Sequence, residues 1–360
     1  MATIAITEAL NLAVEHVNSG RLAEAKSICD DILRQRPDVV DAHYLLGMVM
    51  YAAARHAEAE AALREAIRLG GTRFNFVVAL ADVLRATGRR AEEQTLLRAA
   101  YQTEALVLPY LEMDVAYACN LKCPSCTHYS NYGIKGWVDF DEGSRWLRDW
   151  SQRLYPRQFR LLGGEPTLNP RLCDYIRHAA ALWPNARREV ASNGFFVGRH
   201  PELFQVLAET GTTFVFTIHE DSAEYLEKAN YQQIKDAALS HGFAIRVDQG
   251  TEDEFIRQYQ GEGAGMMPFA DGDPEESFRI CINKTCATIH AGLLWKCPPV
   301  AFLGNVDKRF KLSKKPEWRP YVDHRGLGLQ ASDGEILEYV GRHHPMCAMC
   351  PAKRVPVKER

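Results

Sequence analysis

The 360-residue sequence lacks several features that would fix its class at once. No apolar run approaches the roughly 20 residues a membrane helix requires, so no membrane span is expected. Acidic residues number 46 against 43 basic ones, a net charge of −3, and this balance leaves no electrostatic footprint for nucleic acid. The opening "MATIAITEALNLAVEH" carries Glu8 and Glu15 and has no cationic stretch ahead of an apolar one, so it does not read as a secretion signal. The ten cysteines lack the spacing of a disulfide framework: three lie at 119–126, five at 281–350, and Cys29 and Cys173 stand alone. Clustered thiols in a chain without a secretion signal favour metal or redox chemistry, and a reduced, cytoplasmic protein is expected. Cys29 and Cys173 fall on helical patterns, where a thiol acts as a small buried hydrophobe.

What is present begins with a repeat. Leu12, Leu46 and Leu80 are 34 residues apart, as are Ala13, Gly47 and Ala81, the pairs that start at Gly20, Ala54 and Gly88, and Ala23, Ala57 and Ala91. Pro37 falls at the break after the second helix of the first unit. Paired helices on this period, with small residues where they touch, resemble the tetratricopeptide repeat, which implies about three repeats over residues 1–105. Such arrays hold peptides or partner proteins in a groove; a plain packing or dimerisation module is the alternative.

Beyond residue 107 the period changes. Strands are predicted at 110–119, 158–164, 188–194, 212–219 and 243–248. Helices are predicted between them at 141–154 (capped by Asp141), 171–183, 201–210 and 223–240. This alternation predicts an α/β domain over 108–278, a partial (β/α)6 barrel whose sixth strand is not visible in the Gly-, Asp- and Pro-rich 250–280 stretch. Residues 279–360 form a small α+β extension; its segment 304–321 reads as polar loop or surface hairpin, and the tail after Cys350 as loose.

One further absence organises the chemistry. "CNLKCPSC" places Cys119, Cys123 and Cys126 in a CxxxCxxC spacing at the end of the first strand, where barrels put their active face. A tetrahedral zinc wants a fourth ligand, and His128 is the candidate for one. Three thiolates alone hold three corners of a [4Fe–4S] cube and leave one iron open. The stretch resembles the signature of the radical S-adenosylmethionine (SAM) superfamily. That resemblance implies a cluster whose open iron binds SAM, reductive cleavage to a 5′-deoxyadenosyl radical that abstracts a substrate hydrogen, oxygen sensitivity, and a low-potential electron donor.

The rest of the signature is carried residue by residue. "GGEP", Gly163, Gly164, Glu165 and Pro166, ends the second strand and resembles the contact for the SAM amine: side-chain-free glycines expose carbonyls, and Glu165 adds an acceptor for an ammonium. Ser192 and Asn193 end the third strand, where family members contact the ribose or methionine part, and His219 ends the fourth. A plain turn at Gly194 and a structural histidine are the bland alternatives. Ser125 stands where the family usually has a bulky residue, so adenine packing falls to Tyr117, His128 or Tyr129.

A second thiol set follows: Cys281, Cys286, Cys297, Cys347 and Cys350. Cys281, Gly292 and Cys297 form C-x10-G-x4-C, which resembles the opening of the twitch and SPASM auxiliary-cluster domains and implies a second [4Fe–4S] cluster. Cys281, Cys297, Cys347 and Cys350 are the favoured ligands; in the alternative, Cys286 replaces Cys281. A spare Cys286 is a candidate hydrogen-atom donor. A four-thiolate zinc knuckle is the other reading of this set. The expected function is therefore a radical SAM enzyme acting on a peptide or protein-borne group recruited by the repeats. A dehydrogenase or epimerase of sugars or nucleotide sugars, and a non-catalytic zinc scaffold, are the alternatives.

Overall fold

A computed structural model describes residues 6–220, 222–249 and 257–355. Contacts divide the chain into two compact units, residues 1–107 and 108–360.

The first unit holds three antiparallel helix pairs: α1 (Ile6–Asn18) with α2 (Leu22–Gln35), α3 (Val40–Ala52) with α4 (His56–Gly70), and α5 (Phe74–Ala86) with α6 (Arg90–Tyr101). The 34-residue period has a backbone cause at each inter-helix turn. Gly20, Ala54 and Gly88 all take positive φ (72°, 56° and 78°), which reverses the chain. Ala13, Gly47 and Ala81 are buried, and a Cβ on Gly47 would lie 2.5 Å from Leu63 Cγ. Ala23, Ala57 and Ala91 are exposed, so they are not the contact positions; Ala25 and Ala59 are.

β1 (Leu106–Leu108) falls at the boundary of the units, and in the second unit β3 (Leu154–Pro156) is a short strand outside the main sheet. The main sheet has seven strands in the order β7-β6-β5-β4-β2-β8-β9. These are β2 (Leu111–Ala116), β4 (Gln158–Gly163), β5 (Arg187–Ser192), β6 (Thr213–Ile218), β7 (Ile245–Gln249), β8 (Thr288–His290) and β9 (Leu293–Trp295). All neighbours pair parallel except β8 with β9. The crossover helices are α7 (Phe140–Ser151), α8 (Leu172–Leu182), α9 (Leu203–Thr210) and the pair α10 (Ala223–Lys228) and α11 (Tyr231–His241).

Several sequence expectations shift. The sixth parallel strand, β8, is not a further β/α unit beyond β7; it joins the opposite edge, beside β2. Asp139, not Asp141, caps α7, accepting from the amides of Asp141 (2.9 Å) and Glu142 (3.3 Å). The helix expected over 223–240 breaks at Asn230, whose φ is +57° and whose amide donates to Gly194 O (3.0 Å). Segment 304–321 is largely helical rather than a polar loop. It comprises α14 (Leu303–Phe310), α15 (Arg319–Val322) and two 3-10 turns, anchored by the fully buried Trp318. Behind Cys350, Pro351 is buried and Val355 O accepts from Arg257 N (3.0 Å); residues 356–360 lie outside the described ones.

The helices cover one face of the sheet: Met113 packs against α7, and Asn169 Nδ2 donates to Val115 O. The other face carries Glu112 and Asp114. By register Glu112 pairs with Arg160, Arg160 with Glu189, and Val215 with Arg246, so this concave face is charged.

Candidate functional site

The cysteine loop begins three residues beyond β2. Two extended amide contacts hold it to the next strand end: Gly164 N donates to Ala116 O and Glu165 N to Ala118 O, both at 2.8 Å. A Cβ on either Gly163 (φ +151°) or Gly164 would fall 2.2 Å from a carbonyl oxygen of that loop, of Ala116 or Ala118. Glycine is required here for close approach of two backbones. Ser125 and Tyr129 take φ of +55° and +58°, coiling the loop so that Tyr129 N returns to Cys126 O.

The strand ends meet around this loop. Asn193 Nδ2 donates to Asn120 Oδ1 (2.9 Å), and His219 Nδ1 lies 3.4 Å from Cys123 Sγ. Glu165 does something other than expected. Its carboxylate is 1% exposed and accepts from Thr167 N (3.0 Å), Thr167 Oγ1 (2.5 Å), Ser192 Oγ (2.7 Å) and Asn193 N (2.9 Å). It therefore braces the ends of β4 and β5 and is not free to meet an ammonium. Pro166, also buried, starts the 3-10 turn behind it. Ser192 and Asn193 are likewise buried and belong to this brace.

Cys119, Cys123 and Cys126 are partly accessible free thiols. Burial first, and then the mutual proximity of the three, push Cys119 and Cys123 up to about 12. A metal takes a thiol as the thiolate, so metal binding here would release protons from these groups. Among the described residues no three His, Cys, Asp or Glu side chains converge as one metal ion would require. Three free thiols on one loop, Cys119, Cys123 and Cys126, are the donor chemistry that an iron–sulfur cluster takes. His128 Nδ1 sits 2.8 Å from Asp114 Oδ2, and against the opposing effect of burial the buried carboxylate raises His128 to about 9. Tyr129 is fully buried against Tyr259 (5.7 Å) and belongs to the core. Tyr117 remains half-buried at the rim, edge-on to His290 and Phe302.

Residues that the sequence did not point to also line the region. Asp114 Oδ1 and Ser130 Oγ are buried with no hydrogen-bond partner among the described residues. The Tyr225 hydroxyl is pushed up to about 12 by burial, with Cys123, Glu165 and Cys119 adding to the effect. No periodicity marks these positions; only the convergence of strand ends brings them in.

In the C-terminal region one cavity is lined by Cys281, Cys297, Cys347 and Cys350 together. Cys281 follows α12 (Pro274–Ile280), and Cys297 follows the β8–β9 hairpin turned by Gly292 (φ +76°). Cys347 and Cys350 sit on the 3-10 turn Pro345–Met349 and at its end, tied down by Ser277 Oγ to Cys350 O (3.0 Å). Cys286 does not line this cavity. It neighbours Glu112 and Arg160 and also stands near Cys281 and Cys297.

The radical SAM superfamily profile matches residues 113–239, and a tetratricopeptide repeat profile matches residues 16–71. No curated protein sequence matches the chain. Solved structures with local likeness include MamA (19% identity, TM-score 0.26, 28% of this chain and 58% of that one). BtrN in complex with AdoMet and 2-DOIA is another (16%, 0.38, 61% and 87%). Streptococcus suis SuiB bound to S-adenosylmethionine is a third (18%, 0.34, 58% and 48%). The chain thus spans about half the length of MamA and SuiB. Residues 113–239 are thus similar to the radical SAM superfamily, and they follow a stretch, residues 16–71, similar to the tetratricopeptide repeat.

Proposed function

We propose that Cys119, Cys123 and Cys126 hold a [4Fe–4S] cluster with one open iron for SAM, and that the concave face of the sheet receives the substrate. Such a cluster, when reduced, supplies the electron that cleaves SAM to a hydrogen-abstracting radical. The observation that carries this reading is the three-thiol loop seated directly on the Gly163–Gly164 turn, with His219 and Asn193 closing over it. The chain's own residues do the positioning. The two glycines admit the close approach, Glu165 locks two strand ends, and Tyr117, the His128–Asp114 pair and Tyr225 shape the walls.

We further propose that Cys281, Cys297, Cys347 and Cys350 hold an auxiliary [4Fe–4S] cluster in a twitch-like lobe, over residues 279–360. Cys286, outside the four-cysteine cavity, is the candidate hydrogen-atom donor. The polar face built from Glu112, Asp114, Arg160 and Glu189 suits a hydrophilic substrate group, and the repeats suit its delivery on a peptide or protein. The same polar lining supports the second reading, a free sugar or nucleotide sugar.

The test is anaerobic reconstitution followed by an assay for 5′-deoxyadenosine under a low-potential reductant. Wild-type protein is expected to form it. Cys123→Ala and Gly164→Ala are expected to lose it, the latter because its Cβ displaces the loop. Wild-type protein that binds iron and never cleaves SAM would defeat the reading. Peptide and nucleotide-sugar substrates are then separated by which of them raises the rate.

A further inference from the structure

The cavity that gathers Cys281, Cys297, Cys347 and Cys350 has one more lining residue with chemistry of its own, Lys296. Its side chain enters the lobe one residue before Cys297 and is 3% exposed. The ammonium donates to Val340 O (3.0 Å) and Arg342 O (2.6 Å), at the C-terminal end of α16 (Asp333–Gly341). It also stands 4.3 Å from the centre of the Phe278 ring on α12. These partners are neutral. Among the described residues no carboxylate forms an ion pair with it, and it lines one cavity with Cys281, Cys297, Cys347 and Cys350.

A buried ammonium without an anion is costly, and buried charges persist where opposite charge stands close by. Carbonyls and a ring ease the burden but do not neutralise it. Thiols alone supply no such charge. Thiolates do, and four of them around a dicationic metal or cluster core leave that assembly with excess negative charge. Lys296 and the four cysteines thus each supply what the other lacks.

We infer that Lys296 is the counter-ion of the four-cysteine metal centre, a positioning residue that offsets the thiolate charge, retains the metal and raises the centre's reduction potential. This rests on the four-thiolate reading above. It adds to that reading that a charge outside the ligand set is part of the centre. Lysine serves because its flexible stem places a compact charge at the helix end, in a residue that lines the cavity.

The experiment uses the full chain with Cys119, Cys123 and Cys126 changed to Ala, so that the C-terminal centre alone is read. After reconstitution with iron and sulfide, three properties are compared for Lys296, Lys296→Met and Lys296→Arg. They are metal release to a chelator, midpoint potential by EPR titration, and thermal unfolding with and without metal. Lys296→Met is expected to release metal about 10- to 100-fold faster, the usual effect of losing an outer-shell partner, and to titrate at a more negative potential. Lys296→Arg is expected to stay near the parent. Without metal, Lys296→Met should melt no lower than the parent, because the unpaired charge is gone. An equal loss of melting temperature with and without metal, at unchanged potential, would assign Lys296 to tying down α16 and overturn the inference. So would failure of both Lys296→Met and Lys296→Gln to fold in the metal-free state. A parent chain that binds no metal defeats the four-cysteine reading itself, a result distinct from either.

Discussion

At the scale of single residues, burial decides what a carboxylate does. Glu165 and Glu112 both lie under the sheet's rim, yet they meet opposite fates. Glu165 is surrounded by four donors and acts as a strut. Glu112 has Tyr110 Oη at 2.7 Å and Thr288 Oγ1 at 3.0 Å, and burial lifts it to about 7 despite His128 and these hydroxyls. Its folded value lies above its unfolded one, so the folded chain holds the proton more tightly. Stability contributed by protonated Glu112 is full below the unfolded value near 4.5 and is lost as pH rises through about 7. Glu112→Gln, which stays neutral, should therefore gain on the wild type as pH rises from 5 to 8, by on the order of 3 kcal/mol. Paired thermal melts across that range check it, and a constant difference between the two proteins would refute the assignment.

At the scale of elements, the C-terminal lobe is held by a core that its sequence conceals. The stretch "GNVDKRFKLSKKPEWRPY" is dominated by charge, which is why it reads as loop. α14 nevertheless places Leu303 and Val306 inward. Trp318 then closes the cluster, fully buried, with Nε1 donating to Met266 O (2.9 Å). The same cluster contains Met346 and Met349, which flank Cys347 and Cys350. Trp318→Ala should cost about 3–5 kcal/mol, as large-to-small core changes do, and it should loosen the turn that carries those two thiols. The expected outcome is faster proteolysis of the lobe together with weaker metal retention there, while the cysteine loop at 119–126 keeps its iron. Loss of metal from both places would show that the lobe is not an independent element.

At the scale of the whole molecule, the two thiol groups proposed to hold clusters set the expected iron content. Two cubes predict about eight irons per chain. Cys347→Ser with Cys350→Ser should reduce that to about four and leave SAM cleavage measurable, because the first cluster depends on none of the residues removed. Iron and sulfide analysis beside the 5′-deoxyadenosine assay checks this. Protein that holds zinc at the second group, or that stays colourless throughout, contradicts it.

The sequence by itself determined whatever is local. A 34-residue period was enough for the helix pairs, because each turn needs a left-handed residue at a fixed place. The CxxxCxxC loop and the GGEP turn were legible because ligand spacing and close backbone approach restrict residue type within a few positions. What joins distant segments was decided by tertiary structure alone. It placed β8 beside β2 instead of beside β7, turned Glu165 inward, set Asp114 against His128, left Cys286 off the cavity that four other thiols line and put Lys296 on it. Each of these depends on which residues come together after distant strands, up to 176 positions apart for Glu112 and Thr288, have paired, and no local pattern in the chain carries that information.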